Sequence, residues 1–274
     1  MSDLSRFSFN SETARHWPLP ELIDAAARSG LGGVGLWREP VQETGIDRIA
    51  RLVRAVGVVV TSLCRGGFFT AADAAARRDR IDDNRRAVEE AARLGARTLV
   101  LVCGGLPPGS RDLAGARRMV ADAIAELAPF AGEHGVVLAI EPMHPMYCSD
   151  RSVISSLRQA RLLAEQFPAD QVGVLVDAYH VWWDPGLFDE LALLGQRTAG
   201  FQVCDWITPL PAGVLTGRGM MGTGCIDLRT LRQAVERSGY RGLTEVEIFN
   251  AYLWELPGHE VLAQACRRYL AHVV

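Results

Sequence analysis

Short apolar runs rich in β-branched residues alternate along the chain with longer stretches in which apolar residues recur at helical spacing. Buried parallel strands joined by amphipathic helices produce this alternation. Eight strand–helix units follow one another along the chain. The predicted strands occupy residues 4–9, 33–37, 58–64, 98–103, 136–141, 172–177, 200–204 and 243–248. The predicted helices begin near Pro20, Thr44, Ala72, Asp112, Ser152, Leu187, Asp227 and Pro257.

Glycines mark the ends of several predicted helices, at Gly30, Gly95, Gly135 and Gly239, and a strand follows each of them. A glycine in the left-handed conformation is a common helix stop. Eight such units in 274 residues predict a single (β/α)8 TIM barrel spanning residues 1–274, because this α/β fold typically needs roughly 250 residues. The competing architecture is a doubly wound open sheet, but its marker, GxGxxG after the first strand, is missing.

The composition narrows the function classes. Apolar residues make up 49% and charged residues 22% of the chain, as in ordinary globular proteins. The net charge of −3 provides no basic field for a polyanion, so nucleic acid is not an expected partner. All 29 basic residues are arginine. The lack of lysine excludes Schiff-base aldolases, pyridoxal-phosphate enzymes and P-loop nucleotide binding.

Cysteine spacing and hydropathy predict a reduced, cytoplasmic protein. The six cysteines form no CxxC pair, and residues 1–20 do not have the charged and then apolar pattern of a leader. No apolar run approaches the roughly 18 residues needed to cross a bilayer. We therefore expect no membrane partner.

Polar residues end four of the predicted strands, at the barrel edge where TIM-barrel chemistry takes place. They are Glu141 on strand five, Asp177 and His180 on strand six, Gln202 and Asp205 on strand seven, and Glu245 and Glu247 on strand eight. Several carboxylates converging on one barrel mouth would repel one another, and a divalent ion such as Mg²⁺, Mn²⁺ or Co²⁺ would remove the conflict. Salt bridges to arginines are the alternative. Alternation cannot choose between the two glutamates of strand eight, since both face one way.

Five segments carry a family resemblance over nearly the whole chain. They are IEP ending a strand at Glu141, VDAYH at residues 176–180, FQVCD at 201–205, GTGCIDL at 222–228 and GYRGLTEVEIF at 239–249. In this order and strand placement, the chain resembles the xylose isomerase-like TIM-barrel superfamily of sugar phosphate isomerases and epimerases. This superfamily also includes inosose dehydratases and the endonuclease IV branch. The histidines of that last branch are mostly missing here.

The resemblance implies a metal site. Its ligands would be Glu141, Asp177, Gln202 and Glu247, with His180 beside the metal and touching substrate. Most of the superfamily has histidine at the position of Gln202, whereas branches that look like hydroxypyruvate isomerase have glutamine. Because every ligand would then be an oxygen, Mn²⁺ or Mg²⁺ is the expected cofactor, ahead of Co²⁺ or Zn²⁺.

The activity implied is a metal-dependent isomerase or epimerase acting on a ketose or keto-polyol. Glu141 and Glu247 would move a proton at the carbon next to a carbonyl. His144 is a further candidate acid or base, in a segment that also resembles barrels cleaving 3-oxo-glycosides by β-elimination. A metal-dependent lyase, including an inosose dehydratase-like enzyme, is therefore the first alternative, and a non-catalytic barrel subunit of a complex is the second.

Other residues near strand ends are expected to contact a small sugar or sugar derivative. Trp37, Trp183 and Trp206 would provide apolar walls, and Arg65 and Arg218 would bind substrate oxygens or a phosphate. The irregular stretch 208–224 is expected to be a lid or substrate loop. Both a homodimer and a complex with a small partner subunit stay open.

Overall fold

Eight parallel strands form a closed barrel in the computed structural model, which describes residues 3–211 and 213–274. Each strand pairs with its neighbours in sequence, and the last pairs with the first. The strands are β1 (Phe7–Asn10), β2 (Gly33–Trp37), β3 (Val59–Gly67), β4 (Thr98–Val102), β5 (Val137–Ile140), β6 (Val172–Asp177), β7 (Thr198–Val203) and β8 (Thr244–Val246).

Helices connect successive strands and surround the barrel. They are α1 (Leu19–Arg28), α2 (Arg38–Thr44), α3 (Ile46–Val56), α4 (Ala74–Leu94), α5 (Leu113–Glu133), α6 (Leu157–Ala164), α7 (Ala178–Val181), α8 (Leu187–Leu194), α9 (Leu228–Arg237), α10 (Ala251–Trp254) and α11 (Gly258–His272). Short 3₁₀ turns lie at Ser11–Ala14, Pro145–Tyr147 and Gly195–Arg197. Within the described residues, no helix has both the length and the apolar character to cross a membrane.

Local sequence sets the helix boundaries. Asp73 and Asp112 accept hydrogen bonds from backbone N–H groups three residues later, so their side chains cap the long helices α4 and α5. Gly95 ends α4 at φ 75° and Gly135 follows α5 at φ 67°, as the predicted glycine stops require. The helices pack their apolar faces on the barrel, where the main core lies.

The prediction of a (β/α)8 barrel is confirmed, with small errors at element ends. Strand β1 begins at Phe7 rather than at residue 4, because the Leu4 carbonyl accepts hydrogen bonds from the N–H groups of Phe7 and Gly32 in a turn. Helix α2 lies between β2 and α3, where the pattern predicted only one helix. That residues 1–274 make one domain stays a prediction, and Met1, Ser2 and Ala212 lie outside the described residues.

Strand register brings the predicted site residues to one end of the barrel. Gln202 on β7 pairs with Asp177 on β6 and with Glu245 on β8. Glu247 and Glu141 directly follow β8 and β5, at the carboxyl ends of these strands. Parallel strands end on the same side of a barrel, so these side chains meet.

Candidate functional site

Three buried carboxylates converge at the carboxyl end of the barrel. Glu141 is 4%, Asp177 0% and Glu247 4% exposed. Oxygen atoms of Glu141 and Asp177 and a ring nitrogen of His180 lie within 4.8 Å of one another. Burial, followed by the charges of Asp177 and Glu247, raises the pKa of Glu141 well above its usual value. The cluster therefore favours a bound cation or protons.

Arg218 supplies a guanidinium charge to this cluster. Its Nη1 donates to Asp177 Oδ2 at 3.0 Å and lies 3.3 Å from Glu247 Oε2. The guanidinium is 4.7 Å from the ring centroid of Tyr179 and 4.8 Å from that of Phe249. One cation thus faces three acids, and burial still raises the pKa of Asp177 despite the charge of Arg218.

Glu247 is held by neighbours on β2 and β3. The Trp37 indole N–H donates to Glu247 Oε1 at 3.2 Å, and Cys64 Sγ lies 3.8 Å from the same oxygen. Burial raises the pKa of Glu247 to about 8, against the opposing charge of Arg218. A group with this pKa is mostly protonated at neutral pH, so Glu247 would act as a general base once a nearby cation lowers its pKa.

Gln202 and Glu245 form a hydrogen-bonded pair below the acids. Gln202 Nε2 donates to Glu245 Oε1 at 2.8 Å, and the Glu245 carboxylate also accepts from Asn10 at 2.7 Å and from Thr61 at 2.5 Å. An ionised carboxylate only accepts hydrogen bonds, so the Gln202 amide nitrogen must face Glu245. Gln202 Oε1 is buried and has no hydrogen-bond partner among the described residues.

Space for Glu245 depends on Gly35, since a Cβ at Gly35 would collide with the Glu245 carboxylate. The two glutamates of β8 and its carboxyl end, which alternation could not separate, thus differ in their surroundings. Glu245 lies among neutral donors deep in the barrel, whereas Glu247 contacts Arg218 at the mouth.

His180 is a neutral imidazole beside the acids. Its Nδ1 lies 3.2 Å from the His144 backbone nitrogen, and its Nε2 lies 3.2 Å from Arg218 Nη2. Both neighbours are hydrogen-bond donors, whereas a neutral imidazole has one acceptor nitrogen, so His144 and Arg218 compete for it. Nε2 lies 3.6 Å from Asp177 Oδ2 and 3.9 Å from Glu141 Oε1. Burial, and then the charge of Arg218, lowers the pKa of His180 well below its usual value.

The donor set suits a divalent cation. Three acids whose pKa values are raised surround a small region of the barrel mouth, and the unpartnered Gln202 Oε1 adds a neutral oxygen. Unpartnered buried polar atoms are uncommon in native structures, and a bound ion or water would satisfy this oxygen. Carboxylate and amide oxygens are the ligand types that hard divalent ions prefer.

The family comparison agrees with this architecture. Residues 23–272 match the family described as xylose isomerase-like TIM barrel. The chain belongs to this family. The expected superfamily membership is therefore confirmed.

Three similar proteins bear on this xylose isomerase-like barrel. The crystal structure of a Sinorhizobium meliloti 1021 protein is 45% identical, with a TM-score of 0.95, and the match covers 98% of this chain and 99% of that one. An inosose isomerase of Halalkalibacterium halodurans is 23% identical over 54% of this chain and 52% of its own length. A 3-dehydroshikimate dehydratase of Pseudomonas putida is 26% identical over 92% of this chain and 39% of its own length. The chain thus spans about half or less of the curated relatives it matches.

A small cavity opens beside the acids of the barrel. Its lining includes the predicted residues Trp37, Arg65, Glu141, Gln202, Arg218 and Glu247, together with Cys64, Val100, Val102, Met143, Arg151, Leu215 and Phe249. Its free volume is about 30 Å³, close to one water molecule's share of the liquid. A sugar ring is larger, so covering side chains must move when a substrate enters. Sequence reasoning missed Arg151, which lies in a loop and not at a strand end.

Five predicted site residues do not line this cavity: Asp177 and His180, which belong to the acid cluster, and His144, Trp183 and Trp206. The His144 ring stacks on Trp206 with centroids 5.1 Å apart and meets Trp183 edge-on at 5.4 Å. His144 Nδ1 accepts the Met146 backbone N–H at 3.3 Å. Trp206 is 7% exposed and packs against Tyr179. The structure therefore joins His144, Trp183 and Trp206 in an aromatic cluster next to the acids.

The stretch 208–224 covers part of the mouth, in the described residues other than Ala212. Leu215 lines the cavity, and the Tyr179 hydroxyl donates to the Val214 carbonyl at 2.8 Å. Arg218–Gly219 pairs antiparallel with Asp205–Trp206. Asp205, a strand-end candidate, is a loop anchor, because its carboxylate accepts four backbone N–H groups between residues 206 and 226.

Proposed function

We propose that this chain is a divalent-metal-dependent isomerase or epimerase that moves a proton at the carbon next to the carbonyl of a ketose or keto-polyol. The observation that carries the proposal is the buried group of Glu141, Asp177 and His180, whose donor atoms lie within 4.8 Å of one another. Arg218 links Asp177 to Glu247, and Gln202, whose amide oxygen is unpartnered, lines the same cavity as Glu141 and Glu247. Mn²⁺ or Mg²⁺ suits the oxygen ligands Glu141, Asp177, Gln202 and Glu247 better than Co²⁺ or Zn²⁺. When bound there, the ion would supply Lewis-acid polarisation of a carbonyl oxygen.

The side chains divide the remaining work. Glu247 takes the proton, because Trp37 fixes its Oε1 and a bound cation would keep the carboxylate ionised. Glu141 lies in the same cluster and serves as the second carboxylate, which returns the proton to the neighbouring carbon or the other face. His180, whose Nε2 lies next to Arg218 and Asp177, contacts a substrate hydroxyl. His144 is not assigned a proton-transfer role, since its ring is packed between two tryptophans.

A metal-dependent lyase is the second candidate. It begins with the same proton abstraction and differs in the later loss of a leaving group. The match to a 3-dehydroshikimate dehydratase over 92% of this chain favours it, whereas the inosose isomerase match favours isomerisation.

Solvent-deuterium exchange tests the shared step. The Mn²⁺-loaded protein is incubated in D₂O with a panel of free ketoses, inososes and 3-oxo-glycosides, and deuterium incorporation is followed by mass spectrometry. We expect exchange at the carbon next to the carbonyl of at least one substrate, lost in Glu247→Gln and kept in the exposed control Glu43→Gln. Product analysis separates isomerisation from elimination. A protein that binds no metal and exchanges no proton on any panel member would contradict both candidates and favour a non-catalytic subunit.

A further inference from the structure

Arg65 lines the cavity without a carboxylate partner. Its side chain is half-buried, and within residues 3–211 and 213–274 it makes no ion pair and donates no side-chain hydrogen bond. Arg38, which is also largely buried, instead pairs with Glu90 at 2.6 Å and with Asp83 at 3.0 Å. Burial lowers the pKa of Arg65, and the charge of Glu39 opposes this only in part. Partial desolvation of an arginine is costly unless an anion approaches it.

A second guanidinium faces the same cavity. Arg151 lines it, and its Nε is 3.9 Å from Asp150 Oδ2, a loose pair whose two side chains are 31% and 62% exposed. Pairs of this kind are weak because solvent screens them. The loop itself is fixed, since the Arg151 carbonyl accepts the Gly104 N–H at 2.7 Å. The positive charge of Arg151 also contributes to the lowered pKa of Arg65.

Residues 67 and 68, which follow Arg65 in the chain, hold the Phe68 ring next to its guanidinium. The guanidinium carbon of Arg65 lies 4.3 Å from the Phe68 ring centroid. Phe68 has φ 54°, an uncommon conformation for a non-glycine residue, and is held by its N–H bond to the Val102 carbonyl at 2.7 Å. Asn84 binds both the N–H and the carbonyl of Gly67. This support orients Arg65 and restricts its other partners.

We propose that Arg65 and Arg151 bind an anionic substituent of the substrate, a carboxylate or a phosphate, so that the substrate is an acidic keto-polyol or a sugar phosphate. The inference rests on the proposed function, because it places the other end of the same substrate at Glu141 and Glu247. Without a bound metal ion Arg218 is not part of this anion site, since Asp177 and Glu247 neutralise it. Because these two arginines line the same cavity as Glu141 and Glu247, such a substrate would bind in one orientation.

Matched cyclic polyols test the proposal by calorimetry. The probes are myo-inositol, which is neutral, quinate, which has a carboxylate, and myo-inositol 1-phosphate. Each is titrated into the protein with saturating Mn²⁺ and, separately, with EDTA, where a carboxylate cannot bind through the metal. We expect at least one anion to bind about tenfold or more tightly than myo-inositol under both conditions, as charge-assisted pairs to two guanidiniums would give. The preferred anion identifies the substituent.

Variants assign the binding to the two arginines. Arg65→Met or Arg151→Met should each weaken binding of the preferred anion about tenfold and change that of myo-inositol less than about threefold. Arg111→Met, at an exposed arginine outside the cavity lining, is the charge-matched control and should change neither. All three sites are at least partly exposed, so unchanged melting temperatures are expected.

The outcomes separate this inference from the proposed function. Three results would each overturn the anion site. They are equal affinity for all three probes, no detectable anion binding at about 10 mM, and a loss of anion affinity in Arg111→Met as large as in the two cavity variants. Mn²⁺ binding without anion preference would leave the metal proposal standing. Preference for an anion in EDTA, together with no Mn²⁺ binding, would support the anion site and contradict the metal proposal.

Discussion

Replacing Arg218 with methionine should destabilise the protein strongly only when metal is absent. Arg218 is 2% exposed and pairs with Asp177 and Glu247 at 3.0 and 3.3 Å. In the variant these acids, together with Glu141, have no counter-charge. A divalent ion at the same oxygens would restore it, so the guanidinium and the metal should compete for the same carboxylates.

The magnitude follows from the burial of the pairs. Breaking a buried ion pair from one side costs roughly 3–5 kcal/mol, and we take about 3 because Arg218 no longer bears its own desolvation cost. With Mn²⁺ bound, we expect a loss below about 1 kcal/mol, the range of screened pairs. The difference of about 2 kcal/mol requires the variant to bind Mn²⁺ about 30-fold more tightly than the parent protein.

Urea unfolding in EDTA and in saturating Mn²⁺ measures both losses, and calorimetry gives the Mn²⁺ affinity directly. In EDTA the melting temperature should fall by roughly 6–12 °C, at about 2–4 °C per kcal/mol for a chain of this size. The exposed control Arg111→Met should not respond to metal. Equal losses of stability with and without Mn²⁺, or weaker Mn²⁺ binding in the variant, would show that Arg218 does not share ligands with the ion.

Three further predictions follow from the same geometry. Glu247→Gln should lower deuterium exchange by about 10²-fold or more, because the amide keeps an oxygen but takes no proton; normal exchange at unchanged melting temperature would contradict its role as base. Glu245→Leu should weaken Mn²⁺ binding about tenfold or more, because it releases the Gln202 amide. Glu245→Gln keeps a hydrogen-bond acceptor and should bind Mn²⁺ more tightly than Glu245→Leu. Identical Mn²⁺ titrations of the two variants would refute this role of Glu245. Burial raises the pKa of Glu12 to about 7, so the folded state binds this proton more tightly than the unfolded state, and the stability that the proton contributes is lost as the pH rises from about 4.5 to 7. The melting temperature of Glu12→Gln should therefore rise relative to that of the parent protein between pH 5 and pH 8. A difference in melting temperature that does not change with pH would count against the raised pKa.

Periodicity predicted the barrel and most strand positions because strands and helices impose different spacings on apolar residues. The same rule predicted that the polar residues at the ends of four strands lie at one edge of the barrel, and the family resemblance selected Glu141, Asp177, Gln202 and Glu247 among them as ligands. It could not rank Glu245 against Glu247, since both point to one face of the strand. Only the neighbouring donors on β1, β3 and β7 distinguish them.

Loop residues were harder to place because their orientation depends on partners distant in sequence. His144 follows a strand-end glutamate by three residues, yet its ring stacks on Trp206 and does not line the cavity. Arg218 was expected to contact substrate, and its pairing with Asp177 is set by the short antiparallel ladder at Arg218–Gly219. Arg151 had no periodic signal at all.

Anomalous diffraction from a crystal grown with Mn²⁺ tests the central claim most directly. We predict one ion with Glu141, Asp177, Gln202 Oε1 and Glu247 all within oxygen-ligand distance, roughly 2.0–2.6 Å, and with Arg218 displaced from at least one carboxylate. Density at this position without Gln202 would remove the role given to its unpartnered oxygen. An ion bound elsewhere, or no anomalous density at saturating Mn²⁺ with Arg218 still bridging Asp177 and Glu247, would contradict the metal centre.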